Sequence, residues 1–294
     1  MACRVKVDEN LKELEQASDP DFPVRGYDES FNEFAGHEVA WHWHDEIEVI
    51  KVYQGSTLVE CCDQKFLLHS GDGILINVNV LHHLTLQSPE DCKIINLEFR
   101  PAFVGGTENS VIYRRYVLPV ITCENFLASP LIQTVGWQQQ TLNDIRQAYT
   151  VYQQAVPGYE IQVQTLLMDM WRMFFCNSNF SSTDKHVNSL QQTRLKQMLS
   201  FISENYQDKI TISQLASIAS ISESECYRCF QKNLSLSPMN YLLNLRMQKA
   251  AELILRGALS ITQICSEVGI QNPSYFTRQF RKIYHCTPSE FKKK

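Results

Sequence analysis

The last third of this 294-residue chain repeats itself once, with a period of about 50 residues. Residues 211–221 match residues 260–270 at an offset of 49, and residues 228–241 match residues 278–291 at an offset of 50. A unit of this size is one supersecondary structure. The repeat therefore constrains the C-terminal third to two similar helical subdomains.

Each copy begins with the capping signature of a short helix. Thr211 and Ser260 are each followed three residues later by glutamine, which is the spacing of a capping box. Apolar residues then recur on one helical face in both copies. A second helix opens at Ser222 in the first copy and at Asn272 in the second, where Pro273 suits the first helical position. The pattern predicts two helix-turn-helix units.

The two helices of each copy meet at a sharp turn, predicted at Ser220 and Gly269. Glycine suits a left-handed backbone at such a turn, and serine suits it less. The second helix of each copy has an apolar inner face and a polar, cationic outer face, which is typical of a DNA-reading helix. We expect Arg228 and Arg278 to contact DNA, with an ion pair to Glu225 as the alternative for Arg228. The other expected DNA contacts are Ser224, Tyr227, Lys232, Ser274, Thr277, Arg281 and Lys282.

Charge is distributed unevenly along the chain. Residues 187–294 hold 14 Lys+Arg and 7 Asp+Glu, a net charge of +7, whereas the remainder holds 13 and 25, a net charge of −12. The total of −5 hides this asymmetry. A basic C-terminal third that follows an acidic N-terminal region favours a polyanionic partner, here double-stranded DNA.

The region from about residue 190 to residue 294 resembles the DNA-binding domain of the AraC/XylS family of bacterial transcription regulators. The matching positions are Leu215-Ala216, Phe230, Ser237-Pro238, Tyr241-Leu242, Arg246, Ile264, Val268-Gly269, Ser274-Tyr275-Phe276, Arg278, Phe280, Lys282 and Thr287-Pro288. The resemblance implies a long helix near residues 238–256 joining the subdomains, and recognition helices in successive major-groove segments. It also implies transcription activation with RNA polymerase as a partner. Ser235 and His285 replace the glycine usual in the family, at a predicted cost of about 1 kcal/mol each.

The hydrophobic pattern of the first hundred residues predicts a series of short strands. Apolar or alternating runs lie at residues 49–52, 56–60, 65–68, 74–76, 84–86 and 94–99, separated by glycine, aspartate and proline turns. Short strands at this spacing predict a barrel or sandwich. The predicted fold class is therefore α+β: an N-terminal cupin-like β-barrel with flanking helices, then an all-α domain with two helix-turn-helix units.

A second resemblance, to the two cupin motifs, supports the barrel. It rests on His42, His44, Glu48, Gly55, Gly71-Asp72 and His82, with Asn77 and Asn79 departing from the second motif. The histidines and Glu48 could hold a divalent metal, line a metal-free sensory pocket or serve structure alone. We favour a pocket for a small-molecule effector, such as a sugar or other metabolite, with no metal and no cofactor. The alternative is a metal-dependent cupin enzyme with a helical appendage.

From about Leu127 the hydrophobic period becomes helical, with helices expected near residues 138–154 and from Gly158 to Cys176. We expect Ile161 and Leu167 on one apolar face of the second helix, which either packs in the core or pairs with a second subunit. The predicted domains are the sensor barrel (1–125), a helical segment that makes a homodimer (126–176), a linker (177–189) and the DNA-binding domain (190–294).

The chain carries no membrane or export signal that we recognise. Its N-terminus lacks an apolar signal core, and no run of 18 apolar residues occurs. The ten cysteines do not form a disulfide scaffold in a chain of this length. A cytoplasmic location is expected.

Overall fold

The computed structural model describes residues 5–7, 11–14, 22–123, 125–178, 187–234, 236–284 and 286–292. The chain forms two compact units, mainly Lys12–Ser189 and mainly Leu190–Lys294. The first mixes strands and helices and the second is helical, which confirms the predicted fold class. The expectations for Ser235 and His285, and residues 179–186 of the predicted linker, lie outside the described residues.

The described part of the first unit contains two antiparallel sheets. Their strand orders are β1-β8-β3-β6-β9 and β2-β7-β4-β5. The strands are β1 (Val24–Ser30), β2 (Glu38–His42), β3 (Ile47–Gln54), β4 (Ser56–Cys61), β5 (Gln64–His69), β6 (Gly73–Ile76), β7 (His82–Leu86), β8 (Lys93–Phe99) and β9 (Ala128–Leu131). Every strand run predicted from the sequence lies within one of these strands, whereas β1, β2 and β9 were not predicted.

Helices cover one face of the five-stranded sheet. They are α1 (Pro101–Gly105), a π-helical turn (Tyr113–Val117), α2 (Leu118–Ile121), α3 (Gly136–Gln154) and α4 (Tyr159–Asn177). Successive strand side chains point to opposite faces, so Ile47 and Val49 of β3 join the core formed with α3 and α4. Glu48, between them, faces the other side of the sheet. This alternation therefore places the Glu48 carboxylate of β3 in the interior of the unit, on the side of the sheet away from α3 and α4.

Two expectations for residues 127–176 are wrong. Residues 128–131 form the strand β9 rather than helix. Since β9 is an edge strand, it can accommodate Pro130. Ile161 is 73% exposed and does not belong to the buried face of α4. Leu167 is fully buried in the core. The apolar stripe of α4 is thus mainly core of its own unit.

The second unit contains α5 (Val187–Asn205), α6 (Ile212–Ile218), α7 (Glu223–Leu234), α8 (Pro238–Arg256), α9 (Ile261–Glu267), α10 (Pro273–Tyr284) and α11 (Pro288–Phe291). The helix α8 matches the long connecting helix expected from the family resemblance. The pairs α6–α7 and α9–α10 are the two predicted helix-turn-helix units. In the described part of the chain, no helix is long and apolar enough to cross a membrane.

Candidate functional site

The start of each helix in the repeated unit is fixed by local hydrogen bonds. Both predicted capping boxes form, at Thr211 and at Ser260. At the start of α7 the Ser222 hydroxyl accepts a hydrogen bond from the Glu225 amide at 3.2 Å. At the start of α10 the Asn272 side chain accepts one from the Tyr275 amide at 3.0 Å. Each cap satisfies an N–H that has no partner within its helix.

The inner faces of α7 and α10 anchor them in the same way. Phe230 of α7 and Phe280 of α10 are fully buried, one helical turn after the buried Cys226 and Phe276. The preceding turns share a left-handed backbone. Its φ is +53° at Ser220 and +72° at Gly269, so both predicted turn positions adopt the expected conformation.

The outer faces of α7 and α10 carry the nine residues expected to contact DNA. Eight of them are exposed, and Thr277 is half-buried. The side chain of Arg228 is 71% exposed but forms an ion pair with Glu225 at 2.6 Å, the alternative considered from the sequence. The guanidinium of Arg278 lies over the Tyr275 ring, 5.6 Å from its centroid. The exposed residues are Ser224, Tyr227, Arg228, Lys232, Ser274, Arg278, Arg281 and Lys282.

The predicted pocket residues of the first unit do converge, and we call them the His–Glu cluster: His42, His44, Glu48 and His82. His42 on β2 lies opposite His82 on β7 in the strand register, and their ring centroids are 4.1 Å apart. Glu48 comes from the other sheet. Its Oε2 atom lies 3.0 Å from His82 Nε2 and 3.6 Å from His44 Nε2. All four side chains are buried.

The three imidazoles of the cluster are oriented by the backbone. Their Nδ1 atoms lie 2.8–3.1 Å from the carbonyl oxygens of Ala40, Glu46 and Val80. Carbonyls only accept, so each Nδ1 carries the proton and each Nε2 turns inward. The Nε2 atoms of His44 and His82 and Oε2 of Glu48 make no well-formed hydrogen bond.

This donor set fits a divalent transition metal. One nitrogen from each histidine lies within 4.8 Å of the others, and backbone-oriented imidazoles are the usual arrangement around such ions. Three imidazoles and one carboxylate would hold zinc, manganese or iron. A bound ion would supply a Lewis acid there.

Burial and neighbouring charges shift the pKa values of the residues in the His–Glu cluster in different directions. Burial lowers the pKa of His42 well below its usual value, helped by the charges of His82 and His44. Burial also disfavours the charged form of His44, but Glu48 and nearby carboxylates outweigh it and raise the pKa of His44 to about 9. Burial would raise the pKa of Glu48, yet His82 and His44 hold it well below its usual range. The His44–Glu48 pair is therefore ionic at neutral pH.

A second set of buried polar side chains adjoins the cluster. Arg25 on β1, Glu98 on β8 and Glu48 on β3 lie in register across three neighbouring strands. The Nη2 atom of Arg25 is 2.5 Å from Glu98 Oε2, and Asn96 donates a hydrogen bond to Glu48 Oε1 at 2.7 Å. Burial, followed by repulsion from Glu98, raises the pKa of Glu13 to about 7.

Sequence reasoning missed this second set. Asn96 and Glu98 alternate with apolar residues in a strand that is otherwise buried, and two polar residues on its inner face were an available signal. Glu13 and Arg25 gave no comparable signal, because neither lies in a recognisable pattern and their placement depends on strand register.

Comparison with known proteins agrees with this two-part description. Residues 30–170 match the family described as the AraC-like ligand binding domain, and residues 215–294 match the helix-turn-helix domain family. The HTH-type transcriptional regulator YdeC of Bacillus subtilis is 31% identical over 287 residues, 98% of this chain and 97% of the relative. The lactose operon transcription activator of Staphylococcus xylosus is 34% identical over 98 residues, 33% of this chain and 35% of the relative. ToxT from Vibrio cholerae is a structural neighbour with a TM-score of 0.45 and 12% identity, over 92% of this chain and 98% of that one.

These matches extend over both units and give no support to the cupin-enzyme alternative. The ligand-binding family spans the His–Glu cluster, and the helix-turn-helix family spans α7 and α10. The chain therefore belongs to the AraC-type family of helix-turn-helix transcriptional regulators, in which a ligand-binding domain precedes a DNA-binding domain.

Proposed function

We propose that this regulator contacts double-stranded DNA mainly through the outer face of α10, assisted by α7, and that a small molecule bound at the His–Glu cluster controls its activity. The observation that supports DNA binding is the duplication of the helix-turn-helix unit. Two helices with equivalent caps and equivalent buried faces expose cations at matched positions. Such helices fit the major groove, and their cations pair with phosphates or guanines.

The two helices contribute unequally. The sequence of α10 holds three cations and no carboxylate, whereas α7 holds two of each. Glu225 occupies Arg228 in an ion pair, and that pair must break before Arg228 reaches a phosphate. Arg278 has no such competitor among its contacts given by the structure, and Tyr275 supports its guanidinium by a cation–π contact. We therefore assign most of the base reading to Arg278. Weaker base-edge contacts are assigned to Ser224, Tyr227, Ser274 and Thr277, and phosphate contacts to Lys232, Arg281 and Lys282.

The DNA assignment can be tested without knowing the operator. Full-length protein selects binding sequences from a random duplex pool, and the affinity for the selected sequence is then measured at several salt concentrations. Arg278→Ala should weaken that affinity at least about tenfold, since a good guanine contact contributes about 1–3 kcal/mol. Lys65→Ala is the matched control, because this exposed lysine of β5 pairs with Glu60 and lies in the ligand-binding unit, outside the proposed dimer segment.

A comparison of Arg228 in α7 with Arg278 in α10 tests whether the two helices contribute unequally to DNA affinity. Arg228→Ala should have a smaller effect than Arg278→Ala. A folded Arg278→Ala protein with wild-type affinity and wild-type salt dependence would refute the assignment. A salt-independent affinity in the wild type would refute DNA binding through phosphates altogether.

The effector site is proposed at the His–Glu cluster, as a pocket that needs no metal. Its support is the convergence of four buried polar side chains from both sheets. Chelation of purified protein should leave the effector response intact, and His82→Ala should abolish it while basal DNA binding remains. Stoichiometric metal that His82→Ala removes, together with a response lost on chelation, would contradict the metal-free pocket.

The oligomeric state, the location and the mode of regulation are proposed as well. We propose a homodimer through the helical segment 126–176, supported by exposed apolar side chains beside α4. Ile112, Tyr116 and Met168 line an apolar groove of about 680 Å³ there. We further propose that the protein is an activator, in keeping with the name of its Staphylococcus xylosus relative. The proposal includes a location in the bacterial cytoplasm and a contact with RNA polymerase, as the family resemblance implies.

A further inference from the structure

The loop between α5 and α6, residues 206–211, contacts both helix-turn-helix units. Its last residue, Thr211, caps α6 through its side chain, so this end of the loop is continuous with the α6–α7 unit. Its first residue, Tyr206, packs against the core of the α9–α10 unit, which includes Val268 and Phe276. The α5–α6 loop therefore forms a second connection between the two units, in addition to the helix α8.

At Gly269 the backbone of the loop lies directly against the turn that precedes α10. A Cβ atom at Gly269 would be 2.2 Å from the carbonyl oxygen of Gln207 and 2.9 Å from its Cα atom. Carbon atoms in contact are normally about 3.5–4.0 Å apart, so glycine leaves room for this approach and a larger residue does not. Because the contact joins two backbones, a displacement of the loop is transmitted to the turn.

Arg246 of α8 holds the loop on both sides of Gln207. Its Nε atom donates a hydrogen bond to the carbonyl oxygen of Tyr206 at 2.7 Å, and its Nη2 atom donates one to the carbonyl oxygen of Asp208 at 2.7 Å. The planar guanidinium presents these donors in a fixed geometry, and its charge makes the bonds stronger than neutral ones. Arg246 is half-buried, so it fixes the segment of the loop that contacts Gly269 rather than extending into solvent.

Arg246 also lies where α8 passes from one helix-turn-helix unit to the other. Before it, the ring of Tyr241 packs against that of Phe230 in α7, with the ring centroids 6.0 Å apart. After it, Met247 and Ala250 belong to the core of the α9–α10 unit. A helix that alone joins two packed units lets them move relative to each other as it bends. A second connection fastened near its middle restrains that movement.

We infer that Arg246 is a positioning residue: by holding the α5–α6 loop between α8 and Gly269, it fixes the separation of α7 and α10 and restricts the regulator to DNA sites whose two elements have one spacing. The inference rests on the proposed contacts of α7 and α10 with DNA. One base pair inserted between two DNA elements moves them apart by about 3.4 Å and rotates them by about 34° around the duplex axis. Two rigidly connected helices cannot follow that change, whereas loosely connected helices follow it in part.

Two simpler roles for Arg246 lead to different predictions. A direct DNA contact would require its guanidinium to leave the carbonyl oxygens of Tyr206 and Asp208. Loss of such a contact, or loss of stability alone, would weaken binding to every spacing by the same factor. The ratio of the affinities for two spacings separates these roles from positioning, because the fraction of active protein cancels from the ratio.

The test uses full-length protein and the duplex that it selects from a random pool. Hydroxyl-radical footprinting of that duplex locates two protected segments, and a second duplex carries one additional base pair between them. We expect the wild type to bind the selected duplex at least about tenfold more tightly than the expanded one, the equivalent of one lost base contact. For Arg246→Ala the ratio should fall to about threefold or less, since α7 and α10 are then free to shift.

Two further variants keep the test independent of a folding defect in Arg246→Ala. Arg246→Lys retains the charge and the aliphatic stem, but one ammonium group does not reproduce the fork that reaches two carbonyls. Its ratio should lie between those of the wild type and Arg246→Ala. Arg256→Ala is the matched control, because this exposed arginine lies in the last turn of the same helix, and its ratio should equal that of the wild type.

A measurement without DNA tests the role of Arg246 in the protein alone. Nitroxide-bearing noncanonical residues replace Lys232 and Lys282, which are exposed at equivalent positions of α7 and α10. Double electron–electron resonance then gives the distribution of distances between the two labels. We expect this distribution to broaden in Arg246→Ala and to stay unchanged in Arg256→Ala.

Three results would overturn the inference: a wild-type affinity ratio in both Arg246 variants, an equal loss of affinity for both duplexes, or a distance distribution that Arg246→Ala leaves unchanged. A single protected segment in the footprint would overturn it as well. A wild type that binds no duplex would instead refute the proposed function, and the distance measurement would still decide whether Arg246 fixes the two helices.

Discussion

Replacement of Gly269 by alanine would test how the turn before α10 positions the DNA-reading helix. Gly269 has a φ of +72°, in the left-handed region that alanine adopts at a cost. A Cβ atom there would also overlap the backbone carbonyl oxygen of Gln207, which cannot move aside as a side chain would. The equivalent turn in the first copy already carries a side chain, that of Ser220, at a φ of +53°.

The expected cost has two parts. The left-handed conformation costs alanine about 1–2 kcal/mol, and overpacking against the backbone adds about 1–3 kcal/mol. The Gly269→Ala protein should therefore lose about 2–5 kcal/mol of local stability. Ser220→Ala changes neither the backbone requirement nor the presence of a Cβ atom, so it should stay within about 0.5 kcal/mol of wild type.

Hydrogen exchange read by mass spectrometry is the appropriate assay, because a chain with two units has no single unfolding free energy. Amides of α9 and α10 should exchange at least about 30-fold faster in Gly269→Ala, as 1.4 kcal/mol corresponds to a factor of ten. Amides of α3 and α4 should be unchanged and serve as the internal control. DNA affinity should fall with the loss of protection. Unchanged exchange in α9 and α10, or an equal effect of Ser220→Ala, would refute the reasoning.

Further predictions follow from burial and charge. Phe276→Ala removes a fully buried ring and should cost about 3–5 kcal/mol in the denaturant unfolding of the second unit. Leu167→Glu should unfold the first unit, because Leu167 is fully buried, whereas Met168→Glu should yield folded monomers in sedimentation velocity if the dimer uses this face. A hydrogen bond with His83 is the main cause that holds the pKa of Glu60 at about 2, against an ordinary value of 4.5. The stability from Glu60 is therefore present above pH 4.5 and lost as pH falls toward 2, so the thermal midpoints of wild type and Glu60→Gln should converge over that range.

Much of the DNA-binding unit could be read from the sequence. Its caps, its turns and the buried faces of its helices depend on residues three or four positions apart, and those relations are visible in the chain itself. The repeat added a second copy of the same evidence. The ion pair between Arg228 and Glu225 was foreseeable for the same reason, although the sequence alone left it as one of two alternatives.

The ligand-binding unit was less predictable. The strand runs were visible from their alternation, and the resemblance to the cupin motifs pointed to the four residues of the His–Glu cluster. Register, however, decided what surrounds it: Glu98 lies beside Glu48 because β8 pairs with β3, and Arg25 lies beside Glu98 because β1 pairs with β8. Periodicity also failed for Ile161 and for the strand β9.

The sequence by itself thus determined the two helix-turn-helix units, because hydrogen bonds and apolar faces within a few residues leave a local pattern. The histidine-rich sensor was implied by the resemblance to the cupin motifs. Only the tertiary structure decided the composition of the pocket. Glu13, Glu98 and Asn96 meet through pairings between segments as much as 85 residues apart. No local spacing encodes such pairings, since they depend on which strands share hydrogen bonds and in which register.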